Sequence, residues 1–407
     1  MNNAINNENK KLNVPNLRFP EFQGEWEEHY ISDYLDFKNG LNPKPDKFGK
    51  GIKFISVMDI LNNAIITNDC IRASVDVSEE ELQNFCVENG DMLFQRSSET
   101  LEDVGRANVY MDDKPAVFGG FVIRGKKKAE YNPLFFRYLL ASPFARKKII
   151  PMGAGAQHFN IGQEGLNRVK LHFASLDEQK KIAKILSLLD ERIATQSKII
   201  EDLKKLKSAI IENHYNQTEK QTASIADLGE PFGVGNLAKD DLTETGMPCV
   251  VYGELFTTYG ETISQIESHT NKTTGMILSK KGDLLFPSST TVDAMSLISP
   301  SVINVDGVIL GGDMFGIHIN HNYNAQYLSY YFNHIAKRQL AKFAKGSTII
   351  HLHYTDIEKA KLLLPSLEEQ NRMAKCLMSL DTKIDLEDEY LNILNCQKTC
   401  LLRQMFI

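Results

Sequence analysis

The chain is written twice. Residues Ser175 to Ile210 read SLDEQKKIAKILSLLDERIATQSKIIEDLKKLKSAI, and Ser366 to Leu401 read SLEEQNRMAKCLMSLDTKIDLEDEYLNILNCQKTCL, at a constant offset of 191 residues (366 − 175). The register persists upstream of these segments. Gly90-Asp91-Met92-Leu93-Phe94 matches Gly282-Asp283-Leu284-Leu285-Phe286 at 192, as do Gly119-Gly120 with Gly311-Gly312 and Tyr131-Asn132 with Tyr323-Asn324. Gly155 matches Gly346 at 191, so one residue is lost after Tyr138, and Gly51 to Ile55 resembles Gly246 to Val250 at 195. Glycines and aromatics that keep register outside the helical stretches mark a tandem duplication. Two similar globular units are implied, each followed by a similar long helix, with approximate two-fold symmetry inside one polypeptide.

At 407 residues the chain has enough length for two ordinary cores. The hydrophobic fraction of 42% and charged fraction of 24% are those of a soluble protein. No apolar run approaches the ~20 residues that span a bilayer. The polar opening MNNAINNENKKLN lacks a signal peptide's apolar core, so residues 1–14 are expected to form a flexible tail and the chain to stay cytoplasmic. The six cysteines contain no Cys-x-x-Cys pair, and reduced, mostly buried thiols are expected.

Both duplicated segments open on a capping-box pattern, Ser175 with Glu178 and Ser366 with Glu369. Neither then meets a Gly or Pro for more than thirty residues, which predicts helices of about 50–55 Å. Their apolar residues follow a heptad: Leu186, Leu189, Ile193, Ile200, Leu203 and Ile210 in the first; Leu377, Leu380, Ile384, Leu391, Leu394 and Leu401 in the second. Two seam positions are polar in both copies, Gln196 with Glu387 and Lys207 with Lys398, a pattern that fixes register. Each helix packing on its own domain is the alternative. Pairing with each other, antiparallel, is the arrangement a two-fold axis through one chain requires.

The units before each helix read as mixed α/β. Short strand patterns (54–57, 91–94, 116–118, 121–123) alternate with Gly, Asn and Asp turns. Helices are predicted over 133–149 and 325–343, each ending in a basic cluster followed by glycine. These clusters are Arg146-Lys147-Lys148 and Lys337-Arg338 with Lys342 and Lys345. The expected fold class is α+β: two similar mixed domains (15–174 and 217–365), each followed by a long helix (175–216 and 366–407). The two helices pair as an antiparallel coiled-coil spacer with pseudo-two-fold symmetry.

No motif for catalysis is evident. There is no Asn/Asp-Pro-Pro-Tyr/Phe segment, no phosphate loop and no local nucleophile signature. Phe232-Gly233-Val234-Gly235 lacks the strand and helix that a nucleotide-binding glycine loop needs, so it reads as a turn. His351-x-His353 has no evident third metal ligand. No cofactor and no metal are expected, and the chain is read as no enzyme by itself.

The opening Val14-Pro15-Asn16-Leu17-Arg18-Phe19-Pro20-Glu21-Phe22 with Trp26, the Gly90-Asp91-Met92-Leu93-Phe94 run, the Gly-rich turn before Val169-Lys170-Leu171, and Leu176-Asp177-Glu178-Gln179 opening a long helix, together resemble the specificity (S) subunit of type I restriction-modification enzymes. The likeness covers nearly the whole chain; each motif alone is weak, and order, spacing and duplication carry it. It implies two target-recognition domains, each reading one half of a bipartite double-stranded DNA site. It also implies helices that set half-site spacing and dock two methyltransferase (modification) subunits, with motor-nuclease subunits completing the complex. Two similar readers at fixed separation suit a split site.

Under that resemblance the candidate DNA-contacting residues of the first domain are Arg96, Ser97, Ser98, Arg146, Lys147, Lys148, Gln157, His158 and Asn160. Those of the second are Ser288, Ser289, Thr290, Lys337, Arg338, Lys345, Ser347, Thr348, His351 and His353. Basic residues beside glycine loops suit phosphates, and Arg, Gln and Asn suit base edges. The net charge of −6 and pI near 6.0 run against a stand-alone DNA binder and point to tight binding only within a larger assembly. The domains diverge most over 97–114 against 289–306, so an asymmetric site is expected. The competing readings are a fused methyltransferase, which would need some two hundred further residues, and a two-domain coiled-coil scaffold that binds no specific DNA.

Overall fold

The computed structural model describes residues 13–407. The chain forms two compact units: the first reaches to Ser197 and takes in Glu389–Ile407, and the second is Lys198–Asp388. Among the described residues no helix is long and apolar enough to cross a membrane. Of the expected tail 1–14, Asn13 and Val14 are described, with the Asn13 carbonyl accepting from Trp26 N at 2.8 Å; the remainder lies outside the described residues.

Unit 1 carries a four-stranded antiparallel sheet in the order Leu35–Asn39, Val122–Lys127, Met92–Gln95, Ala107–Val109. A three-stranded sheet pairs Phe48–Ile55 parallel with Ala116–Phe118 and antiparallel with Ser74–Val75. Successive strand residues face opposite sides. Accordingly Met92 and Phe94 enter the helix-side core with Phe135 and Phe136, while Leu93 enters a second core with Phe118 and Tyr110. Unit 2 repeats the device: Leu284 and Phe286 pack towards Tyr327 and Leu328, and Leu285 packs towards Val250 and Leu310. Its main sheet runs Gly229–Gly233, Met314–Ile319, Asp283–Pro287, Ser301–Ile303, Thr262–Ile263. The duplicated Gly-Asp-x-Leu-Phe run thus supplies an inner strand of each main sheet, and its three apolar residues are all buried because both faces are covered.

Each domain is closed by its first and last strands. Glu27–Tyr30 pairs antiparallel with Lys170–Phe173 in unit 1, and Gln221–Ser224 with Lys361–Leu364 in unit 2. A long helix follows directly, Leu176–Gln217 and Leu367–Gln404. Buried glutamines fasten each helix start to its domain. Gln179 Oε1 accepts from Asn132 N at 2.9 Å and its amide donates to Ala174 O; Gln370 Oε1 accepts from Asn324 N at 3.0 Å and its amide donates to Pro365 O.

Within each unit, segments of the two long helices run antiparallel. In unit 1 Asp190 meets Lys398 at 2.6 Å, and Arg192 lies over the Tyr390 ring. In unit 2 Lys204 meets Asp388, Lys207 meets Asp381 at 2.5 Å, and His214 meets Glu369. The twelve apolar seam residues are all buried or half-buried. The seam lysines are therefore ion-paired across the helices, in two copies of one arrangement. Tyr138 Oη donates to Asp190 at 2.8 Å and Tyr330 Oη to Asp381 at 2.5 Å, each carboxylate also holding the lysine.

Several local expectations are corrected. The helix over 133–149 is two, Pro133–Ala141 and Pro143–Ile149, because Pro143 lacks the N–H to continue the first and Ser142 Oγ accepts from Ala145 N to start the second. Its counterpart runs on through a π turn, Phe332–Ala336, and this is where the offset drops from 192 to 191. The strand at 54–57 ends at Ile55, since the Asp59 carboxylate accepts from Ser56 N and Oγ and starts a helix at Val57. The second capping box is half formed, Ser366 Oγ accepting from Glu369 N at 3.4 Å, but in both helices the glutamate carboxylate is engaged elsewhere. Glu178 instead accepts two bonds of 2.8 Å from Arg18, and Glu369 holds His214 and Arg372. Of the six free thiols, Cys376, Cys396 and Cys400 are exposed on the second helix, where a two-sided polar surface needs no burial.

Candidate nucleic-acid interface

Residues far apart in the sequence converge at one end of the main sheet. In unit 1, Ser97–Ser98 pairs antiparallel with Phe159–Asn160. Arg96 N donates to Phe121 O at 2.9 Å, and Ile161 N donates to Arg96 O at 2.9 Å. Three segments, 119–122, 95–98 and 159–161, therefore lie side by side as a backbone-bonded platform. Unit 2 repeats it at the duplicated positions: Ser289–Thr290 pairs with Ile350–His351, Ser288 N donates to Asp313 O at 2.7 Å, and Leu352 N donates to Ser288 O at 2.9 Å.

The loops before Asn160 and His351 are shaped by equivalent glycines. Gly155 (φ +146°) and Gly346 (φ +118°) occupy the left-handed region, and a Cβ on either would lie 2.0 Å from the carbonyl of His158 or Ile349. Only glycine lets the strand return so closely. The loop between them presents Gln157 and His158 in unit 1, and Ser347 and Thr348 in unit 2, all exposed.

The platform unites Arg96, Ser97, Ser98 and Asn160 in the first domain, with Ser97 Oγ bonded to Asn160 Oδ1. It unites Ser288, Ser289, Thr290 and His351 in the second; Ser289 Oγ donates to Asp313 at 2.8 Å. His351 and His353 present near-parallel rings 6.2 Å apart. Ser98 Oγ accepts from Thr100 N and Thr290 Oγ1 from Val292 N, so these two hydroxyls also shape the following loop. Beside the second platform opens a cleft of about 850 Å³, whose lining includes Tyr252, Val292, Asp313, Lys337 and His351.

The basic cluster is not uniform. Arg146 turns inward: its guanidinium donates to Glu102 O at 2.8 Å and Val104 O at 2.7 Å, and burial pushes its pKa down to about 10. Lys147 is exposed, and Lys148 sits 3.4 Å from Glu28. In unit 2 Lys337 is half-buried and burial lowers its pKa, Arg338 is exposed, and Lys345 pairs with Asp356 at 2.5 Å. Two platform residues were not singled out from the sequence, Phe121 and Asp313. Both follow the duplicated Gly-Gly pair, the one local signal that would have marked them.

A family model described as the type I restriction modification DNA specificity domain matches this chain twice, over residues 23–205 and 218–395. The chain belongs to that family. Specificity subunits similar to it over almost their whole length include two from Methanocaldococcus jannaschii. The putative type I restriction enzyme MjaX specificity subunit is 23% identical, with 93% of this chain and 92% of the relative aligned. The type I restriction enzyme MjaVIII specificity subunit is 24% identical, with 91% and 89% aligned. The fold matches the crystal structure of a type I S subunit from M. genitalium with a TM-score of 0.59 at 16% identity, covering 97% of this chain and 99% of that one. It also matches a chain from work on complex assembly and conformational transition of the type I R-M system, with a TM-score of 0.57 at 14% identity, covering 94% and 97%. The specificity-domain fold therefore occurs here as two copies, each with its own platform.

Proposed function

We propose that this chain is the DNA-recognition subunit of a type I restriction-modification complex, with each platform reading one half of a bipartite, asymmetric site. One observation carries the reading: the same three-segment platform is built twice with different side chains at corresponding places. Arg96 corresponds to Ser288, Phe121 to Asp313 and Asn160 to His351. Equal scaffolds with unequal side chains suit two readers of unequal half-sites, since base edges are distinguished by donor, acceptor and methyl pattern.

In this reading Lys147 and Arg338 meet the DNA backbone, and the exposed Gln157 and His158 of the first loop, with Ser347 and Thr348 of the second, face base edges. Phosphate contacts position the protein and base contacts specify the sequence. The domains are taken as 15–174 and 217–365, with the long helices as the spacer that sets half-site separation. The helices also carry apolar side chains left in solvent: Ile185, Leu188 and Ile393 in unit 1, and Ile199, Leu206, Met378 and Leu386 in unit 2. Such residues support docking of two methyltransferase subunits, which together with motor-nuclease subunits supply the chemistry; this chain contributes recognition and no catalytic group. The net charge of −6 fits a subunit whose DNA affinity depends on those partners.

The test is to map methylated bases genome-wide in cells with and without the gene. The expected result is one split motif that loses methylation on deletion. Unchanged methylation at every motif would overturn the assignment.

A further inference from the structure

We propose that Phe121 in the first domain, and Asp313 at the corresponding place in the second, are specificity-determining residues that touch base edges. The inference rests on the DNA-recognition reading above and deepens it by naming a position that sets each half-site. Phe121 is 68% exposed, the most exposed aromatic among the described residues. A phenylalanine so placed gains nothing from the fold of its own domain, because its apolar surface stays in water.

The turn that carries it is held on every side. Val122 N donates to Gly119 O at 2.8 Å, Arg96 N donates to Phe121 O at 2.9 Å, and Arg96 Nη1 donates to Gly120 O at 3.2 Å. The glycines pack so closely that a Cβ on Gly119 would lie 2.6 Å from the Phe54 ring, and one on Gly120 2.0 Å from Asn42 Oδ1. The turn therefore fixes the backbone at Phe121, and its exposed side chain stands on the same backbone-bonded platform as Arg96, Ser97 and Asn160. An aromatic, a guanidinium and an amide on one rigid surface match the apolar, acceptor and mixed edges that the major groove offers.

Asp313 presents the opposite chemistry from the same position. Its backbone carbonyl accepts from Ser288 N at 2.7 Å, and its carboxylate is oriented by Ser289 Oγ at 2.8 Å. An exposed carboxylate on a DNA-facing surface is repelled by phosphates, and the DNA group that favours it is an amino donor such as cytosine N4. The pair thus assigns an apolar base contact to the first half-site and an amino contact to the second.

The experiment uses the full complex with its methyltransferase, on DNA pools randomised across both half-sites, reading methylation by sequencing. The wild-type complex must first yield a split motif; failure there sinks the DNA-recognition reading itself, not the role of these two residues. Given that motif, Phe121→Ala should cut discrimination about tenfold at one or two adjacent positions of one half-site, leaving the other half-site and the spacing unchanged. Asp313→Ala should do the same in the other half-site. Because Phe121 is largely solvent-exposed, its removal should leave the thermal midpoint in place, which separates a reading defect from a folding defect. Unchanged preference at every position, or a uniform loss of affinity with preference intact, would overturn the proposal.

Discussion

Arg146 and Lys147 are neighbours in sequence with different fates. Arg146 lies beside the buried Ala145 and Ile149 and donates to two backbone carbonyls, so its charge holds the loop 101–106 in place. Arg146→Ala should destabilise the first domain by about 2 kcal/mol in chemical denaturation, since two charged hydrogen bonds to backbone carbonyls are lost. Lys147→Ala should leave stability unchanged, weaken binding to all DNA sequences alike and reduce the salt slope by about one. A slope change confined to the arginine variant would reverse these roles. In unit 2, Glu261 lies between Lys207 at 3.1 Å and His334 at 2.9 Å. Burial alone would raise its pKa, yet the His334 hydrogen bond and the Lys207 charge bring it from 4.5 down to about 2. A folded-state pKa below the ordinary value stabilises fully above pH 4.5 and fades as pH falls towards 2. Glu261→Gln should therefore lower stability at pH 7 by about 3 kcal/mol and flatten the acid-unfolding profile over that window. None of this was legible in the sequence, where 146–148 read as a single basic run. Periodicity marks a helix face, but only tertiary packing shows which charge the face turns inward.

At the scale of elements, the duplicated pairs were legible because repetition exposes them: the inner strands, the Gly-Gly turn and the seam lysines all keep register. What each does was less legible. Glu178 sits where a capping box expects it, and long-range pairing with Arg18 outcompetes the local bond. Ser97 and Asn160 are paired across a separation of 63 residues that no local pattern reports. The seam lysines suggested register, and Asp190 with Lys398 and Asp381 with Lys207 supply the mechanism. Four residues inserted near Gln196 fall between Asp190 and Lys207 on the first helix. They shift one ion pair against the other by about 6 Å and about 40°, so both cannot close in the native register. The expected outcome is lost assembly or a changed number of unread bases between half-sites, with each half-site's bases unaltered. Methylation mapping of the insertion variant checks it; unchanged spacing with full activity would rule out the helices as the ruler.

At the scale of the molecule, the duplication makes the helix segments exchangeable. Ile200, Leu203 and Ile210 of the first helix occupy the places that Leu391, Leu394 and Leu401 occupy in the second. A fragment ending at Asn216 retains the first domain and exposes the seam that Glu389–Ile407 covers in unit 1. A second copy can supply the equivalent segment, and the closed solution is a two-fold dimer. Light scattering should report twice the fragment mass, and with the methyltransferase the dimer should modify a palindrome built from the first half-site. A monomeric, folded fragment would show that the helix is satisfied by its own domain.

Unit 1 is completed from both sides of unit 2 in the sequence. Leu17 N donates to Gln404 O at 2.9 Å, and Phe406 packs its ring 6.2 Å from Trp26 and 5.5 Å from Phe135. Residues that finish the first core are therefore synthesised after every residue of the second unit. On the ribosome the second unit can fold from one uninterrupted stretch, while the first waits with Trp26 and Phe135 only partly covered. Nascent chains arrested soon after Asp388 has emerged should thus be protease-resistant over the second unit and cleaved within the first. The order in which the halves are written is not the order in which they mature.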